Sequence, residues 1–219
     1  MEFWISGLNV INRCIYEVII STYGLNKRPN AAPSGLKFSD PDKFQLEIYK
    51  GSKTLQNLIE QKCGVANITY DAEVFYYTAL KEENPERVLS KITFQKSHKV
   101  QAPLIKEANF NLEFLVEVIE EIKTKTIFKC RIIHIEKNDV KQIPYTRALF
   151  ATVESIIHAT RIKVFVAEGK YEKADELLEL INHYKKLIKR VSPNSIYSKI
   201  MQDLINQCEK WRKNSAGIS

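Results

Sequence analysis

Between residues 15 and 136 the chain alternates short runs of β-branched and aromatic residues with turn residues. Beyond Pro144 the apolar spacing changes to that of helices. Residues 15–23 predict a buried strand, and the turn at 24–29 makes a hairpin with a strand that starts at Asn30. Pro33 cannot donate to a ladder, so that strand is expected at an edge or bulge. Gly35 suggests that something approaches the backbone closely. After the turn at 39–42, residues 44–49 form a third strand, 54–61 a short helix and 64–69 a fourth strand. Asp71 is positioned to cap a helix carrying Val74, Phe75, Thr78 and Ala79, closed or interrupted at Asn84 and Pro85. A strand at 91–95 and a long hairpin from 111–122 and 126–136 follow. Six or more strands with short helices between them predict a mostly antiparallel barrel.

The helical part begins at Tyr145. Leu149, Val153, Ile156, Ile157, Thr160 and Val164 define one apolar face of a helix over 145–166, and Gly169 fits its C-cap. Residues 171–188 repeat the pattern through Ala174, Leu177, Leu178, Ile181, Tyr184 and Ile188. Ser192 and Pro193 suit the N-cap and first position of a third helix bearing Ile196, Ile200, Leu204 and Cys208. The chain therefore reads as α+β: a barrel domain over 1–143, a helical region over 144–213 and a disordered tail over 214–219.

Composition narrows the function classes. The hydrophobic share of 44% is that of a soluble globular protein, and no uncharged apolar run is long enough to span a membrane. The start of the chain lacks a basic segment and a cleavage site, so no signal peptide is expected. The net charge of +7 permits an anionic partner. Lysines are spread among acidic residues, which argues against a nucleic-acid stripe. Cys14, Cys63, Cys130 and Cys208 form no closely spaced pair, so neither a metal site nor a disulfide framework is expected, and a reducing cytoplasm fits.

The stretch with most chemistry is Gly51, Ser52, Lys53 and Thr54, where a strand gives way to a helix. Ser52 reads first as an N-cap. The same turn is a plausible anion site, because helix N-terminal N–H groups favour a phosphate and Lys50 and Lys53 add positive charge. It is not a Walker A loop, since no glycine stands at the required spacing before Gly51.

With the strands placed, the order of A-A-P-S-G strand, K-G-S-K-T helix with Asn57 and V-A-N-I-T strand resembles the FMN-binding split-barrel flavoproteins. The later P-L-I-K-E-A-N-F-N-L-E-F and I-F-K-C-R-I-I-H-I segments fit as well. Within that class the chain is most similar to an archaeal family of unknown function, related to flavin reductases, whose barrel precedes a helical region like 147–161 here. The resemblance implies FMN as cofactor. Ala31, Ala32, Pro33, Ser34 and Gly35 would lie against the isoalloxazine ring, and Tyr49 and Lys50 at its edge. Gly51, Ser52, Lys53 and Thr54 would hold the phosphate, supported by Asn57, with Asn67 and Thr69 on a nearby strand. It also implies a homodimer with FMN near the subunit interface. The sequence adds a reason: 114–116 and 118–119 are apolar on both strand faces, so the helices or a partner must cover the second. No nicotinamide-nucleotide fingerprint is present, and the substrate is left open. An oxidoreductase of flavin-reductase type and a non-catalytic FMN module that docks a partner through its helices both remain.

Arg147, Glu154, His158 and Arg161 share one helix face. They read either as a solvated, ion-paired stripe or as a wall of the flavin pocket, with His158 as proton donor. His98 and His134 fall on expected strands, and His183 on a helix surface.

Overall fold

The computed structural model describes residues 2–5, 7–11, 14–81, 83, 91–140 and 146–216. The expected helix break at Asn84 and Pro85 and the helix start near Pro144 and Tyr145 lie outside them, as does 217–219. The chain divides into two units, Met1–Tyr70 with Pro85–Lys141 and Asp71–Asn84 with Gln142–Ser219. Residues 71–84 thus group with the helices, whereas a single cut at 143 leaves them with the barrel.

The first unit is built on strands β3 (Ile15–Tyr23), β4 (Pro29–Asp40), β5 (Lys43–Tyr49), β6 (Cys63–Ile68), β9 (Phe110–Glu121) and β10 (Lys125–Lys137). They close an antiparallel barrel in the order β10-β5-β4-β3-β6-β9. Alternation along each strand turns Val18, Ile20, Leu36, Leu46, Phe114 and Phe128 into a shared core. Phe44 packs edge-on against Phe38 and Phe114, with ring centroids 6.2 and 5.1 Å away. Helix α1 (Lys53–Gln61) links β5 to β6 and buries Leu55 and Leu58. A hairpin of β1 (Glu2–Ile5) and β2 (Leu8–Ile11), not anticipated from the sequence, adds Ile5 and Val10 to the core.

Between α1 and β9 lies a small hairpin of β7 (Phe94–Lys96) and β8 (Pro103–Ile105). The strand expected at 91–95 is therefore shorter and shifted, and His98 sits in the bend at its end, not on a strand. This excursion covers the outer face of β6 and β9. Val100, Ala102 and Leu104 pack there against Cys63 and Val65, with Leu115 half-buried beside them. Part of the second apolar face, expected to need helices or a partner, is thus covered by the chain's own bend.

The second unit holds helices α2 (Ala72–Ala79), α3 (Arg147–Ala167), α4 (Tyr171–Val191) and α5 (Ile196–Ala216). Asp71 caps α2 as expected, accepting the Glu73 N–H at 2.8 Å. The buried face of α3 keeps Leu149 and Ile156 of the expected one and departs from it elsewhere. It carries Ala148, Ala151, Thr152, Ser155, Ala159 and Ile162, while Val164 is exposed. Small residues allow close helix approach, and the buried Thr152 and Ser155 hydroxyls donate back to the Ala148 and Ala151 carbonyls at 2.7 Å. Ser192 is the C-cap of α4 and not the N-cap of the next helix. The turn continues to Ser195, whose hydroxyl accepts the Ser198 N–H at 3.3 Å. Helix α5 runs through 214–216, the first part of the expected disordered tail. No described helix is long and apolar enough to cross a membrane.

Candidate functional site

The two halves of β4 differ. The strand pairs with β3 from Tyr23–Pro29 to Ile15–Lys37, but with β5 only from Leu36 to Asp40. Pro33 therefore sits where β4 has no β5 ladder, as a residue without an N–H requires. Ala32, Pro33, Ser34 and Gly35 are half-buried there, and Ala31 is buried. Gly35 has a different cause from the one expected. A Cβ at this position would lie 2.8 Å from Ile15 Cγ2, so the close neighbour is a strand side chain.

Beyond that opening, β5 ends at Tyr49 and the chain turns into α1. Gly51 takes φ +87°, which favours glycine, and an added Cβ there would meet nothing within 4 Å. Ser52 is the N-cap, and its hydroxyl accepts the Leu55 N–H at 3.1 Å. The first turn of α1 has no acidic residue, so no side chain there offsets the positive end of the helix. Lys50, Gly51 and Lys53 are exposed, as is Tyr49 at 72%. Lys50 Nζ stands 3.9 Å from Glu121. The turn thus offers helix N–H groups, two lysines and open space above a glycine.

The deeper predicted residues hold this turn in place. The Asn30 side-chain amide donates to the Thr54 hydroxyl at 3.0 Å, and the Asn57 amide donates to Thr22 Oγ1 at 2.9 Å. Asn30, Thr54 and Asn57 are all buried. These bonds tie α1 to β3 and β4, so Thr54 and Asn57 fix where the helix N-terminus points.

Asn67 lies on β6, across β3 from Pro33. Its amide nitrogen donates to the Ile19 carbonyl at 2.7 Å and to Ser21 Oγ at 2.8 Å. Its oxygen accepts the Ile105 N–H at 2.9 Å and the Asn111 amide at 2.8 Å. Asn67 is wholly buried and clamps β8 against the barrel wall. Thr69 is buried one residue beyond the end of β6. The strand register pairs Asn67 with Asn111, a contact no local motif announces.

The stripe on α3 splits by exposure. Arg147, Glu154 and Arg161 are exposed, whereas His158 is buried and stacks on Tyr184 of α4 with centroids 6.2 Å apart. Its Nε2 lies 3.7 Å from Glu154, and its buried Nδ1 has no hydrogen-bond partner. Burial pushes the His158 pKa down from its ordinary 6.5; Glu154 opposes the shift and Arg161 adds to it.

The family model for "Protein of unknown function (DUF447) N-terminal domain" matches residues 16–139, and that for "Protein of unknown function (DUF447)" matches 146–206. The structure is similar to that of an FMN-bound protein of the same family from Methanosarcina mazei, with a TM-score of 0.72 and 26% identity. That similarity covers 90% of this chain and 96% of the other. Flavoredoxin of Desulfovibrio vulgaris shares the fold at a TM-score of 0.50 and 19% identity, over 63% of this chain and 77% of its own. A candidate flavin reductase with a split barrel domain from Shewanella frigidimarina matches at 0.50 and 13%, over 57% and 68%. No curated protein matches the chain.

Proposed function

We propose that this chain, which belongs to the DUF447 family of unknown function, is an FMN-binding flavoprotein of the flavin-reductase type. The observation that carries the reading is the turn from Lys50 to Thr54 beside the half of β4 without a β5 ladder. An FMN-bound family relative aligned over nearly the whole chain supports it. The residues fit the group. The α1 N-terminus, with no acidic residue in its first turn, takes the phosphate, and the space above Gly51 admits it. Lys50 and Lys53 add charge. Asn30, Thr54, Asn57 and Thr22 hold the helix end still, which spares ordering cost on binding. The half-buried strip from Ala32 to Gly35 offers the isoalloxazine a wall of small side chains.

FMN when bound would supply reversible acceptance and release of electrons. The chain's contribution is to position the ring and exclude water from one side of it. Oxidoreduction is favoured over a purely structural role by the openness of the Tyr49–Lys53 edge, through which a second reactant can enter. On α3, burial disfavours the protonated form of His158, and its stacking on Tyr184 suits a packing role better than proton transfer.

A homodimer belongs to the proposal. Val118 on β9 and Ile122 just beyond its end are large apolar residues, 42% and 40% exposed. A two-fold contact would bury them with the same patch on both copies. Sedimentation equilibrium at low micromolar concentration should give twice the chain mass. Four free cysteines fit a cytoplasmic setting.

The absorption spectrum of the purified protein tests the cofactor. Flavin bands, with FMN identified by mass after heat release, are expected. A colourless protein that takes up no added FMN overturns the proposal. Flavin reduced by a nicotinamide donor at a rate above that of free FMN would separate the enzyme from the docking module.

A further inference from the structure

On the outer wall of the barrel, away from the α1 turn, His98, Glu113 and His134 bring their ligand atoms within 4.8 Å of one another. The register explains the meeting. His134 of β10 stands opposite Glu113 of β9, next to an irregularity in the ladder between Ile132 and His134. His98 arrives from the bend after β7, and its ring lies edge-on to that of His134 at a centroid distance of 5.2 Å. Glu136 adds a second carboxylate, with Oε2 3.3 Å from His98 Nε2.

Glu113 is wholly buried, unusual for a carboxylate. It is held by three backbone donors: the His98 N–H to Oε1 at 2.8 Å, and the Lys99 and Val100 N–H groups to Oε2 at 2.6 and 3.1 Å. Each carboxylate oxygen has two lone pairs, so Oε1 keeps one after taking the His98 N–H. A carboxylate oriented by hydrogen bonds beside two imidazoles is the arrangement of a supported metal ligand.

We propose that His98, Glu113 and His134 bind a divalent transition-metal ion, with Glu136 or water completing the shell. Two imidazoles and one carboxylate are a donor set that tetrahedral Zn²⁺ takes, at about 2.0–2.2 Å from each ligand. Ligand atoms on such a shell stand roughly 3.3 Å apart, closer than the observed limit. His98 is exposed and half-buried His134 lies beside it, so side-chain rotation closes the gap. The ion would pin the bend at 98–100 to β9 and β10. It does not depend on the flavin reading. Along β10, His134 is nine residues from Lys125, which pairs with Tyr49, a separation of roughly 30 Å at strand rise.

Calorimetric titration of the full-length, chelator-treated protein with Zn²⁺ tests this. One site per chain is expected. His98→Ala and His134→Ala should each weaken it by more than the roughly 10–100-fold typical of outer-shell partners. His183→Ala, an exposed histidine on α4, should not. Saturating Zn²⁺ should raise the melting temperature of the parent by roughly 5 °C and leave that of His98→Ala unchanged. Glu113 is left intact because its loss would free three backbone donors. Absence of a Zn²⁺ site, or equal affinity in the parent and both histidine variants, overturns the proposal.

Discussion

The side-chain amide of Asn30 donates to the hydroxyl of Thr54 across 3.0 Å and so joins the start of β4 to the first turn of α1. Both residues are buried. The bond sets the distance between the strip that would face a flavin ring and the helix end that would face its phosphate. Asn30→Ala leaves the Thr54 hydroxyl without this donor and should cost about 1–3 kcal/mol in denaturant unfolding. FMN affinity should fall by about tenfold or more as the helix end loosens. Thr54→Ser keeps the acceptor and should be near the parent on both counts. An Asn30→Ala protein with parental FMN affinity would show that the helix end needs no such tie.

Gly35 and Gly64 both look like positions where backbone must come close, yet they answer to different neighbours. A Cβ at Gly64 would lie 2.7 Å from Cζ of Phe114, in the barrel core, and 3.2 Å from the Ser21 carbonyl. One at Gly35 would meet Ile15, which is 61% exposed and can move aside. Gly64→Ala should therefore destabilise by about 1–3 kcal/mol through overpacking. Gly35→Ala should fall within about 0.5 kcal/mol of the parent. Thermal denaturation of the two variants compares them, and a reversed order would refute the packing account.

His158 gives the helical unit a pH dependence. Its pKa is lowered in the fold, chiefly by burial, so the unfolded chain binds a proton first as pH falls. The stability it allows is present above the unfolded value of about 6.5 and declines as pH drops below it. His158→Leu removes the group and should shrink the loss of melting temperature between pH 7.5 and 5.5 relative to the parent. Equal losses in both would assign the effect to carboxylates elsewhere.

Local chemistry was legible in the sequence, and distant pairings were not. Gly51 and Ser52 announced a turn and a cap because both signals lie within four residues of the helix they start. The barrel strands were legible from alternation, to within a residue or two at most ends. Asn67 with Asn111, and His98 with Glu113 and His134, were not, because strand register, a ladder irregularity and a bend bring together residues 15 or more positions apart. Ser192 misled because serine before proline also suits the end of a helix; the cap for α5 stands three residues later at Ser195. On α3 the large apolar residues drew attention, and Leu149 and Ile156 are buried as expected, but alanines and back-bonded hydroxyls share the packed face with them.

The FMN reading stands or falls with the Lys50–Thr54 turn as the site of the phosphate. Flavin-fluorescence titration of the parent and of Lys53→Gln, with FMN and with riboflavin, tests it most directly. Two charge-assisted bonds of about 1.5 kcal/mol each make FMN about 100-fold tighter than riboflavin. Lys53→Gln should weaken FMN and leave riboflavin unchanged. Equal affinity of the parent for the two flavins, or equal losses for both in the variant, would contradict the account.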